Sequence, residues 1–239
     1  FSYFLRNVNA VIAPELTREL GVSAADLGLL TSAYLLAFGA VQLQATTSNY
    51  WTLSAHVQRY FRAVDDRLTR GGPVATRPAW VVYQLNASSD VRKPITLLST
   101  LQLQDYESGG WSWSAGGQVG IKTSSRWNLS AGPVLSRLYT PAQFVTSVAD
   151  PAYTATYGRR YVFAPLHQVS LGMETRFNAT FSPRLSLETY LQPLLSSQDY
   201  GSARQFAAPH TYDFIPYSGT IPSLDFNLRS LRGNAVLRW

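Results

Sequence analysis

Cysteine is absent from this chain, methionine occurs once, and only 14% of residues are charged. The missing thiols exclude a disulfide scaffold, a thiol nucleophile and any cysteine-ligated metal. A soluble domain ordinarily carries about 25% charged residues. A disordered chain needs many charges and few aromatics, whereas aromatics here reach 13%. Long apolar runs are scarce too, and a mean hydropathy of −0.07 excludes a polytopic helical membrane protein. Ser, Thr, Gln, Asn, Gly, Tyr and Trp fill the space left. That mixture suits strands with one apolar face and one polar, uncharged face. The net charge of +6 is dispersed, with no basic cluster longer than Arg92-Lys93 or Arg159-Arg160. Nucleic acid is therefore not an expected partner.

Catalytic patterns are missing as well. His56, His167 and His210 belong to no close His/Asp/Glu spacing, so no metal site is assigned. There is no Gly-x-Ser-x-Gly elbow and no phosphate-cradling loop with Lys. Asp65-Asp66 with Asp150 reads as turn chemistry rather than a calcium site, and Asp105 with Glu107 as a solvated rim rather than a glycosidase pair. The expectation is a protein that is not an enzyme and has no cofactor.

The chain changes character near Gln44. Residues 1–44 read as a helical hairpin. Leu27–Leu43 is an uncharged run near the lower limit for one membrane span, preceded by an N-cap pattern at Ser23-Ala24-Ala25-Asp26. The stretches Phe4-Leu5-Arg6-Asn7-Val8-Asn9, Ala13-Pro14-Glu15-Leu16, Ser23–Gly28 and Ala33-Tyr34 resemble the first two helices of a major facilitator superfamily transporter. That likeness implies an inner-membrane address for this segment alone. Transport activity does not follow, because a transporter needs two repeated halves around a central site.

Residues 45–239 have period two. Val169, Leu171, Met173, Phe177, Ala179 and Phe181 share one face; Ser170, Gly172, Glu174, Arg176, Asn178 and Thr180 share the other. Similar alternation recurs at 111–122, 127–136 and 185–192. Such runs predict strands. Eight long ones are expected, near 49–64, 79–90, 94–106, 110–123, 126–139, 160–181, 184–198 and 226–239, with a break near Pro165. They exceed the about five or six residues of ordinary strands and suit the about nine to eleven of membrane strands. Short and long connections alternate, as in outer-membrane barrels. The fold expected is a mainly β, antiparallel up-and-down transmembrane barrel, either closed by these strands or an incomplete part of a larger one. A soluble β-sandwich binding module is the rival.

A second resemblance rests on Asp65-Asp66-Arg67-Leu68-Thr69-Arg70-Gly71-Gly72-Pro73, on Tyr157-Gly158-Arg159-Arg160-Tyr161-Val162-Phe163-Ala164, and on Asp225–Trp239. With these, residues 49–239 resemble the C-terminal barrel region of an uncharacterised family of bacterial outer-membrane proteins, usually preceded by a sandwich similar to carbohydrate-binding module family nine. The likeness implies a barrel and an outer-membrane address, and no established activity. The open roles are surface binding and ligand passage. Membrane lipid and the barrel-assembly machinery are the expected partners.

Two groups of residues stand out as site candidates. Glu174, Arg176, Glu188 and Gln192 form a polar group facing the lumen. Arg67, Arg70, Arg77, Arg159 and Arg160 are loop residues able to grip lipopolysaccharide phosphates bidentately. Phe1 opens the chain without a cleavable signal, so it reads as a piece of a longer protein. The alternation from Leu231 to Trp239 resembles the terminal recognition signal of outer-membrane proteins, with a cut in mid-strand as the alternative. Joining an inner-membrane helix to outer-membrane strands suggests a chimeric fragment, with its joint near Leu43–Thr47.

Overall fold

Strict alternation gives a strand two unlike faces, and hydrogen-bonded neighbours must match them. A computed structural model of the chain describes residues 40–239. The chain forms two compact units, Phe1–Val41 and Gln42–Trp239, and the second holds the sheet. The helical hairpin and its transporter likeness fall, apart from the last residues, outside the described residues.

In chain order the strands are β1 (Ala40–Thr46), β2 (Thr52–Tyr60), β3 (Ala63–Asp65), β4 (Ala75–Arg77), β5 (Trp80–Ser88), β6 (Ile95–Tyr106) and β7 (Trp111–Ser124). They continue with β8 (Trp127–Ala149), β9 (Arg159–Ser182), β10 (Leu185–Tyr200), β11 (Arg204–Phe206), β12 (Phe214–Pro216) and β13 (Phe226–Arg238). The main sheet has the order β1-β2-β5-β6-β7-β8-β9-β10-β13. β3 and β4 form a separate hairpin, while β11 joins β12 to the upper part of β9. Every ladder from β2 to β13 is antiparallel. The connection 47–51 is too short for a parallel crossover, so β1 and β2 are antiparallel too.

The sheet is open. β1 and β13 are its two edges, so the closed eight-strand barrel is not formed. The ninth strand is β1. It takes Ala40–Leu43, which the sequence reading made helical, and it spans the expected joint. Pro165 does not break β9. It lies opposite the shift in register between Thr140 and Gln143 of β8, where the ladder asks for no N–H. β8 runs on to Ala149, which shrinks the expected loop 139–159 to residues 150–158.

Two neighbouring rows across the sheet summarise its faces. One row is Ala55, Leu85, Leu101, Ala115, Leu135, Leu171, Leu195, each the partner of the next. One residue along, the row on the other face is His56, Gln84, Gln102, Ser114, Ser136, Ser170, Ser196. The leucines of the first row are between 38% and 53% exposed. The apolar face thus has no protein layer over it among the described residues. Towards the long loops it ends at Arg59, Val81, Asp105, Trp111, Tyr139, His167 and Asp199, again consecutive partners, with Tyr139 and His167 stacked at 4.5 Å.

The buried core lies at the long-loop end. Phe163 is fully buried; Tyr161, Phe206, Ala75 and Ala142 surround it, with Leu68, Phe144, Tyr212 and Phe214 packed around them. Phe144 and Phe214 meet the Phe163 ring edge-on at 5.5 and 5.0 Å. The upper part of the β8–β9 hairpin thus rises beyond the apolar face and gathers the β3–β4 and β11–β12 hairpins. Backbone bonds lock those two hairpins together: Thr76 N–H donates to Thr211 O at 2.8 Å and His210 N–H to Val74 O at 2.7 Å. At the opposite end Asp90 accepts two bonds from the Arg92 guanidinium, at 2.9 and 2.8 Å, and Arg92 covers the Tyr50 ring at 3.7 Å. That guanidinium holds the Asp90 carboxyl down at about 2.

Two substitutions test this packing. The Tyr161 ring lies directly against Gly72, whereas Gly71 has a left-handed φ of 96° and open space around it. Gly72→Ala should cost about 1–3 kcal/mol by overpacking and lose the near-ultraviolet circular dichroism of the loop-end aromatics. Adding Tyr161→Leu should restore part of the loss in chemical unfolding; no recovery would refute the contact. On the apolar face the Thr175 hydroxyl is buried without a partner. Thr175→Val should raise stability by about 1 kcal/mol in the same assay, and a loss would show that the hydroxyl is bonded.

Candidate lumenal face and loop-end hollow

The polar face of the sheet is nearly free of charge because strand parity assigns it Ser, Thr, Asn, Gln and Gly. Of its few charges, Glu174, Arg176, Glu188 and Arg238 are locally paired, whereas Lys122 and Arg232 form no ion pair among the described residues. Glu174 Oε2 lies 3.9 Å from Arg176 Nη2, the Tyr190 hydroxyl donates to Glu174 at 3.3 Å, and Arg176 stands 5.0 Å over the Tyr190 ring. Gln192 borders the same hollow as Glu174 and Arg176, a space of about 370 Å³ that also meets Leu98, Gly116 and Gly132. Glu188 stands apart, paired with Arg238 of β13 at 2.8 Å. Three of the four lumen candidates therefore share one hollow, and the fourth ties β10 to the edge strand. Tyr190 belongs to the group and was not singled out; its parity with Glu188 and Gln192 was the available signal.

The five loop arginines all lie at the long-loop end but do not converge. Arg67 donates its backbone N–H to Asp65 at 2.8 Å. Arg70 lies 4.7 Å over Phe144 and Arg77 4.8 Å over Trp80. Arg159 donates to the Ser147 hydroxyl at 3.0 Å. Arg160 pairs with Asp150 at 2.6 Å and covers Tyr153 at 4.5 Å. Cation–π contacts of this kind contribute roughly 0.5–2 kcal/mol each. Among the described residues no group of three or more His, Asp or Glu side chains is placed to hold a metal.

A second hollow, about 540 Å³, lies between the upper polar face and the loop-end core. Its main-sheet side carries Trp80, Gln104, Tyr106, Ser112, Leu138 and Gln168; Asp65 and Arg77 belong to the β3–β4 hairpin and Tyr212 to the segment between β11 and β12. Tyr60, Trp80 and Tyr106 stack in register, with ring separations of 4.2 and 5.8 Å. The position opposite Tyr106 in the β6–β7 ladder is taken by Gly110, whose carbonyl accepts the Tyr106 N–H at 2.9 Å. No side chain arises there to cover the outer ring of the stack. The Tyr106 hydroxyl donates to Gln104 at 2.6 Å, and Gln168 bonds Ser170 and Gln198 at 3.0 and 3.2 Å. Burial raises the Tyr212 phenol above its ordinary value, so it stays a neutral hydroxyl. Nothing local in the sequence joins Trp80, Tyr106 and Gln168. Only the ladder does, across the five strands β5 to β9.

Glu107 fastens the loop next to this hollow. Its Oε1 accepts the Ala79 N–H at 2.8 Å and the Arg62 Nε–H. The Arg62 guanidinium, then the Ala79 N–H, pull its carboxyl below the ordinary value. A depressed carboxyl contributes stability above its unfolded value and loses it as pH falls through the folded one. Wild type and Glu107→Gln should therefore differ most in proteolysis within residues 61–79 at neutral pH, and converge as pH falls below the depressed folded value of Glu107. A difference that persists at the lower pH would rule out the charge as the cause. No protein family, curated protein or solved structure matches the chain.

Proposed function

We propose that Gln42–Trp239 is a non-enzymatic part of the wall of a transmembrane β-barrel in a bacterial outer membrane. The observation that carries this reading is the pair of neighbouring rows from β2 to β10, one apolar and largely exposed, the other polar, which continue on the edge strand β13 with Arg229 and Leu228. A soluble sandwich must cover its apolar face with a second sheet, and a soluble surface rarely leaves more than a few hundred Å² of apolar patch in water. Lipid is the solvent that such a face suits. From Trp113 to Ile121 the apolar positions of β7 span nine residues, about 30 Å of strand at ~3.3 Å per residue. A tilt of about 45° reduces that to about 21 Å, close to the ~25 Å band of outer-membrane barrels. Trp111, Tyr139, His167 and Arg59 then sit at headgroup depth, with Arg137, the partner of Trp113, at the edge of the band, and Arg59 faces lipopolysaccharide phosphates more directly than the loop arginines do. The resemblance of residues 49–239 to an outer-membrane family points the same way, and insertion would need the barrel-assembly machinery.

An open edge is untenable in lipid, where unpaired backbone groups find no water. Nine alternating strands leave β1 and β13 running in the same direction, so direct closure would require a parallel pair. Antiparallel closure takes an odd number of further strands and gives the even total usual for bacterial barrels.

Two adjacent positions in β6 test the wall reading. Chain refolded with phosphatidylcholine vesicles should float with them. Leu101→Arg, on the apolar row, should lose about 2–4 kcal/mol of insertion free energy, while Gln102→Arg, on the polar row, should float like wild type. Equal effects at both positions, or no flotation at all, would end this reading.

A further inference from the structure

The loop-end hollow has a lining whose chemistry narrows its ligand. We infer that it binds a neutral saccharide, with one sugar ring laid against the exposed side of Tyr106. The argument begins with charge. Arg77 is engaged over the Trp80 ring at 4.8 Å, and Asp65 accepts the N–H groups of Arg67 and Leu68 at 2.8 and 3.1 Å. The lining thus carries one charge of each sign, and a charged ligand would meet a like charge as well as a counter-charge. A wholly apolar ligand would cover the Gln104 amide N–H groups and the Ser112 hydroxyl without giving them a partner, at about 1–3 kcal/mol each when buried without a bond. Amides and hydroxyls both donate and accept, which is what a set of sugar hydroxyls requires. The apolar C–H face of a pyranose requires a flat ring, and the half-buried Tyr106 borders the hollow beside Gly110 and Pro141.

The rest of the stack makes that ring a firm platform. Tyr60 and Trp80 back it in near-parallel order, with interplanar angles of 5° and 21°. The Tyr106 hydroxyl is anchored on Gln104 at 2.6 Å. A site held this rigidly loses little side-chain freedom on binding. Its volume, about 540 Å³, lies in the range of about 300–1,000 Å³ common to small-molecule sites. The site lies beyond the apolar face, so the inference does not depend on membrane insertion.

The test uses the full chain folded in a zwitterionic, sugar-free detergent, with tryptophan fluorescence and calorimetry as readouts. Maltotriose, cellotriose and chitotriose are the neutral probes, and glucose 6-phosphate is the charged one. At least one neutral trisaccharide should bind saturably, and glucose 6-phosphate at least tenfold more weakly. Tyr106→Ala should weaken the neutral probe at least tenfold. Gln168→Leu, a milder change at the floor, should weaken it severalfold while circular dichroism stays unchanged. Three results would overturn the assignment: no binding by any neutral probe, tighter binding of the phosphate, or binding that survives both substitutions. Saccharide binding by a chain that fails to float with vesicles would leave this site standing and remove only the wall reading.

Discussion

Everything in the sheet depends on one constraint: neighbouring strands must keep the same parity. A one-residue slip anywhere would carry a whole strand's apolar set to the polar side. The ladders from β2 to β6 and from β10 to β13 hold a single register throughout. The shifts that do occur lie at the margins, at Ile121/Ser124 and Leu185/Ser186 next to the tight turns, and at Thr140/Gln143 and Phe144/Thr146 towards the long loops. Between those limits the apolar face is interrupted by Arg137, Thr175 and Arg229 and by small or polar residues such as Ser99 and Thr189. Bulges bend a strand and raise its twist. Their position at the upper limit is where β8 and β9 leave the two-faced sheet and become buried on both sides, with Tyr161 through Ala164 at 4% exposure or less.

That change of environment explains why the most distinctive stretches of the sequence lie where they do. The segment Asp65–Pro73 and the segment Tyr157–Ala164 meet at Gly72 and Tyr161. Asp65 caps its own turn, the buried Thr69 hydroxyl bonds Pro73 O at 2.8 Å, and Arg70 and Gly71 take left-handed φ values of 52° and 96°. Arg160 is pinned between Asp150 and Tyr153. A wall strand needs only the right parity, and many residues satisfy it. The loop-end core needs particular residues at particular places, so its sequence is the less replaceable part. The arginines there act chiefly as flat cations on aromatic rings, which their position in loops did not disclose.

Period two made most of the strands and both faces legible, because alternation is a local property. The limits of legibility were non-local. Ala40–Leu43 carries no charge and suits either a helix or a strand; its pairing as β1 depends on β2, which lies beyond a turn. The upper end of β8 was obscured because its two bulges break the alternation past Tyr139. Pro165 looked like a break because the register shift that accommodates it is on the other strand. Glu174, Arg176 and Gln192 were correctly placed on one face by parity alone, and they share a hollow. Glu188 shares the face but not the hollow, since Arg238 on β13 is its cross-strand neighbour. Closure is the least local property of all, and alternation along a strand contains no information about it.

The polar face explains how an open arc acquires an inside. Residues from β6 to β10 line a single hollow, which a flat sheet of five strands cannot enclose. Gly116, Gly132 and Gly172 occupy that side, while their flanking positions on the other side are Ala115, Gly117, Ala131, Pro133, Leu171 and Met173. Placing the smaller side chains on one face lets that face contract and the other spread. The same parity that separates apolar from polar groups thereby supplies the difference in volume that curves the sheet. Curvature in turn brings Glu174, Arg176 and Gln192 to a common space and carries the upper rim under the loop-end core, where the second hollow forms. Solvent preference and shape are in this way two consequences of one two-residue period.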